Sequence, residues 1–340
     1  MRRQEFVTAM LSAFTGATVP VGLAGAGRLG QRDVSPARRG LALLYELDDQ
    51  HGGGAVYGLA VRAIRQARST LERASYEQAT GRALRAVVGQ LTEHAGWLAY
   101  DAGRQPEARY WWLEALHAAR MAHDEQAEVV VFASMSLQAG RTGQPREAAE
   151  LAQAAQRAAR SRMTPRLRAV LLAREAVGYA GGGDRAGATC VLSQALTELE
   201  RGHRDDDPPW LEFFDHADLA WHEMLAAADL GDLSWAERAA RQALGSADEV
   251  DYPRNHALYL AQLADILAAS GRVEEALPVT AQVVVRVPTL DSDRVTRQTT
   301  TVLRRLAAHR GDPQVRDLLD WAGQVMHRAA AEPVVAPGPV

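Results

Sequence analysis

Two stretches of the chain bring aromatic rings and carboxylates together at helical spacing. Glu93, Trp97 and Tyr100 follow one another at intervals of four and three residues, and Asp218, Trp221 and Leu225 at intervals of three and four. Each set therefore falls on one face of a helix. Trp210 and Phe214 extend the second stripe one and two turns towards the N-terminus. Such faces offer recognition: rings supply anchor area and carboxylates attract cations, so an aromatic groove edged by Glu93 and Asp218 suits an extended peptide or a helix bearing basic residues. The plainer reading of the same spacing is a set of core residues. It is weaker for Trp97 and Trp221, because the positions three or four residues away that serve helix packing are small.

Turnover chemistry finds little support. The sequence contains no HExxH, no CxxC and, without a single lysine, no Walker-type phosphate loop. The string Gly25-Ala26-Gly27-Arg28-Leu29-Gly30 satisfies GxGxxG, but no strand precedes it and no βαβ unit surrounds it. His222 lies four residues after Asp218, a spacing that a metal site could use and that a helical ion pair or cap contact explains more simply. No nucleophile sits in a recognisable turn. The expectation is no catalytic residue, no bound cofactor and no metal.

The elements that carry these residues are set by a repeat. A glycine followed five residues later by an alanine recurs as GRQPEA at Gly103, GQPREA at Gly143, GDRAGA at Gly183, GDLSWA at Gly231 and GRVEEA at Gly271, at intervals of 40, 40, 48 and 40. The long interval contains Asp205-Asp206-Asp207-Pro208-Pro209, read as an insertion between helices. A glycine able to take positive φ at a tight turn, and a small residue where the second helix crosses the first, describe an antiparallel helix pair. Seven residues beyond each alanine comes a further small or branched residue: Ala115, Ala155, Ala195, Ala243 and Val283.

Helix starts fall in step with the glycines. Ser35-Pro36 is read as opening a helix to about His51, Gly52-Gly53-Gly54 as the turn into the next, and Ser75 with Gln78 as a capping box. Asp124, Thr164-Pro165, Asp207-Pro208 and Asp251 are read as caps of the following first helices. At the N-terminus, Arg2-Arg3 before a mildly apolar run from Phe6 to Val21 imitates a twin-arginine export signal, but polar interruptions favour a short helix and a Gly-rich tether.

Composition agrees with an all-α chain: 340 residues, 47% hydrophobic, no strand alternation and no hairpin signal. A net charge of −4 gives no electrostatic case for direct nucleic-acid binding, and no stretch has the length of a membrane span. One cysteine, Cys190, rules out an intrachain disulfide framework. Two arginine runs, Arg157 to Arg168 and Arg62 to Arg68, read as solvated faces, with an acidic partner as the alternative.

The turn glycine, the alanine five on and the later alanine resemble the tetratricopeptide family. Trp112 matches its aromatic position, Leu192 matches loosely, and Ala152, Ala240 and Thr280 do not. The period exceeds the family's usual length of about 34 residues. The stretch Pro209-Trp210-Leu211-Glu212-Phe213-Phe214-Asp215-His216-Ala217-Asp218-Leu219 is similar to the tetratricopeptide portion of actinobacterial helix-turn-helix transcriptional regulators, whose linker resembles Arg2 to Phe6; the sequence lacks their DNA-binding domain.

The resemblance implies a right-handed α-solenoid of about six to seven helix pairs with a roughly 40-residue period. Its expected parts are an N-terminal helix and tether over 1–34, pairs over 35–75, 76–123, 124–163, 164–206, 207–250, 251–290 and 291–330, and a Pro-rich tail over 331–340. It places Glu93, Trp97, Tyr100, Trp210, Phe214, Asp218, Trp221 and Leu225 in a concave partner-binding groove. The expected function is a non-enzymatic, cytoplasmic scaffold that binds a protein or peptide in the regulation of gene expression. The alternatives are a sensor of a small signalling molecule or peptide pheromone, a repurposed solenoid enzyme, a homodimer and an exported protein.

Overall fold

In the computed structural model, which describes residues 28–247 and 249–331, each repeat glycine makes the turn that its spacing predicts. Gly103, Gly143, Gly183, Gly231 and Gly271 all have φ between 74° and 80°. At Gly183 the amide donates to the Ala180 carbonyl at 2.9 Å while Asp184 N–H reaches back to the Tyr179 carbonyl at 2.9 Å. This double closure satisfies carbonyls at the end of the first helix and requires the left-handed backbone that glycine adopts without strain. The paired alanines Ala108, Ala148, Ala188, Ala236 and Ala276 are fully buried at the helix crossings.

Fourteen helices follow one another among the described residues, so the class is all-α. They divide into two compact units. The first consists of the described residues through Glu114, Val284–Arg294, and the described residues from Trp321. It holds α1 (Gln31–His51), α2 (Gly53–Arg73), α3 (Gln78–Asp101) and the first part of α4 (Gln105–Ala122). α3 packs against both α1 and α2, burying Leu44, Ile64, Leu84, Leu91 and Leu98. A two-residue parallel pairing of β1 (Arg28–Leu29) with β2 (Ser75–Tyr76) joins the start of this unit to the α2–α3 connection. The sequence carries no signal for it, since two residues are too few for an alternation.

The second unit runs over Ala115–Val283 and Val295–Asp320. It carries the rest of α4, α5 (Glu125–Arg141), α6 (Pro145–Ala158), α7 (Pro165–Gly181), α8 (Arg185–Leu199), α9 (His216–Asp229), α10 (Leu233–Ser246), α11 (Pro253–Ala269) and all but the last residue of α12 (Val273–Val284). Most of α13 (Asp293–Leu306) and the start of α14 (Pro313–Ala331) also belong to it. Within it, α7 packs against α5, α6, α8 and α9, so neighbouring first helices lie side by side and each carries its own second helix. A core of Leu167, Leu171, Leu172, Leu211 and Phe214, tiled with alanines, fills the space between them.

Several helix starts differ from the expected ones. Asp124 and Thr164 do cap their helices, accepting from Ala127 N–H at 3.1 Å and Leu167 N–H at 3.2 Å. α1, by contrast, begins at Gln31, where the Asp33 carboxylate accepts from Gly30 N–H at 2.8 Å, and Pro36 lies inside the helix. Ser75 belongs to β2, and α3 starts with Glu77 in the cap position and no side-chain cap. After Asp207-Pro208 the chain makes only a 3₁₀ turn, Pro209–Leu211, before Asp215 caps α9 through Ala217 and Asp218 N–H at 2.8 and 3.0 Å. α11 opens at Pro253 behind Tyr252, not Asp251. The expected short N-terminal helix and the tail beyond 331 lie outside the described residues.

Candidate functional site

In the first unit, α3 presents Glu93, Trp97 and Tyr100 along one face, with Tyr100 and Glu93 buried and Trp97 half-buried. The Trp97 indole N–H donates to the Asp48 carboxylate of α1 at 3.0 Å, which fixes the ring across the two helices. Tyr100 bridges the aromatic rings, its centroid 5.6 Å from Trp97 and 6.1 Å from Trp112. One turn behind, Tyr45 packs against His94 with centroids 4.1 Å apart. Burial pushes the Tyr45 phenol far above its ordinary range, and Glu93, Asp48 and Asp49 add to the effect.

The strongest group here is Asp101, two residues before the turn glycine Gly103. It is fully buried, and its carboxylate accepts from Gly53 N–H at 2.9 Å and from the Ser292 hydroxyl at 2.9 Å. The Arg294 guanidinium stands 3.6 Å from the same carboxylate and lies over both rings, 5.5 Å from the Trp97 centroid and 5.2 Å from that of Tyr100. The buried carboxylate and the two aromatic faces thus hold this guanidinium, and desolvation strengthens both the ionic and the cation–π attraction.

The second unit repeats the plan with other partners. Asp218, Trp221 and Leu225 are all buried on α9. The Trp221 indole donates to Gln262 Oε1 at 2.8 Å, the ring stacks on Tyr259 at 6.0 Å, and the Tyr259 hydroxyl donates to Asp218 at 3.2 Å. His222 is fully enclosed; its Nδ1 lies 2.8 Å from the Asp218 carbonyl and 3.3 Å from the Asp218 carboxylate, so Nδ1 carries the proton. That is the contact expected of an i, i+4 pair. Among the described residues, no group of three or more His, Cys, Asp and Glu side chains could hold a metal ion.

Trp210 and Phe214 do not extend the Trp221 stripe. The helix starts only at His216, so neither residue shares its face: Phe214 is fully buried in the core, and half-buried Trp210 lines a shallow cleft with Val129, Leu167 and Pro208. Sequence reasoning also missed Asp48, Asp101, Tyr259, Gln262, Ser292 and Arg294. Periodicity could have suggested Asp101, which lies one position beyond Tyr100 at the mouth of the turn. Nothing local identifies Ser292 or Arg294, since Ser292 meets Asp101 from 191 positions away.

No protein-family model and no curated protein matches the chain. Among solved structures, the chain is similar to the P58(IPK) TPR domain at 12% identity, with 95% of this chain and 87% of that one covered and a TM-score of 0.26. A likeness at that score carries no argument; the successive helix pairs are shown by the glycine turns and alanine crossings of this chain. No described helix is long and apolar enough to cross a membrane.

Proposed function

We propose that the chain is a non-enzymatic scaffold that binds a protein or peptide partner through an arginine received by Trp97, Tyr100 and Asp101. The observation that carries this reading is the seating of Arg294, whose guanidinium already lies over the two rings and beside the buried carboxylate. Arginine suits the site better than lysine because its flat cation stacks on rings while donating in plane. The role in regulating gene expression rests on the resemblance of Pro209 to Leu219 to regulator sequences.

The test is a titration of the purified chain with a panel of short peptides in which arginine is replaced in turn by lysine and by citrulline. Binding that depends on arginine and disappears in Trp97→Ala supports the proposal. Binding that ignores the arginine, or saturable binding of small metabolites with no peptide bound, would replace it by the sensor reading.

A further inference from the structure

The run Arg157 to Arg168, read from sequence as a solvated face, lies in the second unit at the connection from α6 to α7 and separates into two groups. Arg166 Nε donates to the Phe214 carbonyl at 2.8 Å, and Arg168 Nε stands 3.5 Å from the Glu198 carboxylate. Arg157, in the last turn of α6, and Arg160 and Arg162, in the 3₁₀ turn that follows, are exposed and have no side-chain partner among the described residues. Other arginines of the unit close ion pairs: Arg141 with Asp229 at 3.3 Å, Arg185 with Asp232 at 3.1 Å and Arg305 with Asp265 at 2.8 Å. The α6–α7 connection therefore concentrates cations that the fold does not neutralise.

The same connection forms one wall of the shallow cleft of Trp210. Arg162, Ala158 and Ala159 line it from this side, Val129 from α5, and Trp210 and Pro208 from the insertion. Trp210 is half-buried, so part of the ring packs on the core and the rest meets solvent. Its indole N–H has no acceptor among the described residues, whereas those of Trp97, Trp111, Trp221 and Trp235 all donate to side chains. One carboxylate stands at the cleft: Glu125, which accepts from the Ser161 hydroxyl at 2.7 Å. Three guanidinium groups against one carboxylate leave this surface positive, although the chain as a whole carries −4. An apolar face bordered by unpaired N–H donors is complementary to carboxylates spaced around an apolar side chain, and tryptophan and arginine are the residue types that dominate interface energies.

We infer that this cleft docks an acidic segment of a protein partner, in which Asp and Glu side chains flank one aromatic or large apolar residue. The apolar residue lies against Trp210 and Val129, the carboxylates pair with Arg157, Arg160 and Arg162, and the indole N–H supplies a further donor. A peptide fits better than a nucleic acid because the donors border an apolar cleft on a chain of net negative charge, where a phosphate backbone gains least. The surface shares no residue with the α3 site and asks for the opposite charge in its ligand, so it stands independently of the arginine-receiving proposal.

A fluorescently labelled peptide with one phenylalanine between short runs of glutamate and aspartate is titrated into the unaltered full chain, into Arg160→Gln/Arg162→Gln, and into Arg62→Gln/Arg65→Gln, a charge-matched control at two exposed arginines of α2. The expected result is binding about ten-fold weaker to the first variant and unchanged to the second. An equal loss in both variants would reduce the effect to overall charge and overturn the inference, as would the absence of binding to the unaltered chain. Two further peptides, one with alanine in place of phenylalanine and one with amides in place of the carboxylates, are titrated into the unaltered chain alone, so the test stands even if a variant does not fold. Both are expected to lose binding, and unchanged binding by either overturns the inference. Tighter binding of an oligonucleotide of equal charge, lost in Arg160→Gln/Arg162→Gln, would overturn it in favour of a nucleic-acid surface.

Discussion

The Trp97 and Trp221 clusters are two versions of one arrangement with opposite outcomes. In each, a first-helix tryptophan donates its indole N–H to a polar side chain on another helix, Asp48 or Gln262, and lies against a tyrosine. Around Trp221 the contacts come from α9 and α11: Tyr259 closes over the ring and donates to Asp218, while His222 folds back onto the same carboxylate. Around Trp97 the tyrosine belongs to the same helix, and the opposite side is left to Ser292 and Arg294. An aromatic residue and a carboxylate one turn apart therefore do not make a binding site by themselves. What differs is which part of the chain supplies the covering group, the next first helix at Trp221 or the residues around Arg294 at Trp97.

The largest effect that would sharpen this contrast is expected at Trp221. Trp221→Ala empties a buried ring site and leaves the Gln262 amide without its donor, and should cost about 3–5 kcal/mol in a urea denaturation series. A cost below that of Trp97→Ala would break the comparison. Next comes Ala108→Leu, which crowds a fully buried helix crossing beside the Gly103 turn and should cost about 1–3 kcal/mol. Trp97→Ala follows at about 1–2 kcal/mol, because the ring is only half-buried and its loss surrenders one hydrogen bond and the contact with Arg294. Its effect on peptide binding, by contrast, should be complete.

The smallest effect separates the clusters from the outer ionic ladder, where Arg272 and Arg241 hydrogen-bond Glu237 and Arg272 also pairs with Glu275. Burial alone would raise the Glu237 carboxyl, but the two guanidinium groups outweigh it and hold it below its ordinary value of 4.5. A folded-state value below the unfolded one means that the contribution is fully present above pH 4.5 and is lost as pH falls through the lowered value. Glu237→Gln should therefore flatten the acid side of the Tm–pH curve, changing stability at neutral pH by less than about 1 kcal/mol. An identical acid limb in the variant would show that the ladder contributes nothing.

The turns and crossings were legible because each depends on one residue type at one place: a glycine at positive φ and an alanine where helices touch. Caps were legible only where the helix begins at the capping residue. Asp184 and Asp232, directly after turn glycines, cap α8 and α10 through Gly187 and Trp235 N–H, a Gly-Asp signal that went unused. Asp207 misled because two prolines beside it imitate a helix start, whereas Asp215 satisfies two amides at once. Helical spacing also counted Phe214 into a stripe although α9 begins only at His216. The Arg294 site was illegible because its halves meet across most of the chain, and no periodicity records a contact of that range.

The claim that an arginine-bearing partner docks on α3 is tested most directly by photo-crosslinking. A peptide carrying a photoreactive group next to its arginine is irradiated with the Ser292→Ala/Arg294→Ala chain, and the attachment point is mapped by mass spectrometry. Attachment between Trp97 and Asp101, competed away by unlabelled peptide, is the predicted result. Competed attachment at the Trp221 cluster or on the outer arginine faces, with α3 unlabelled, would contradict it.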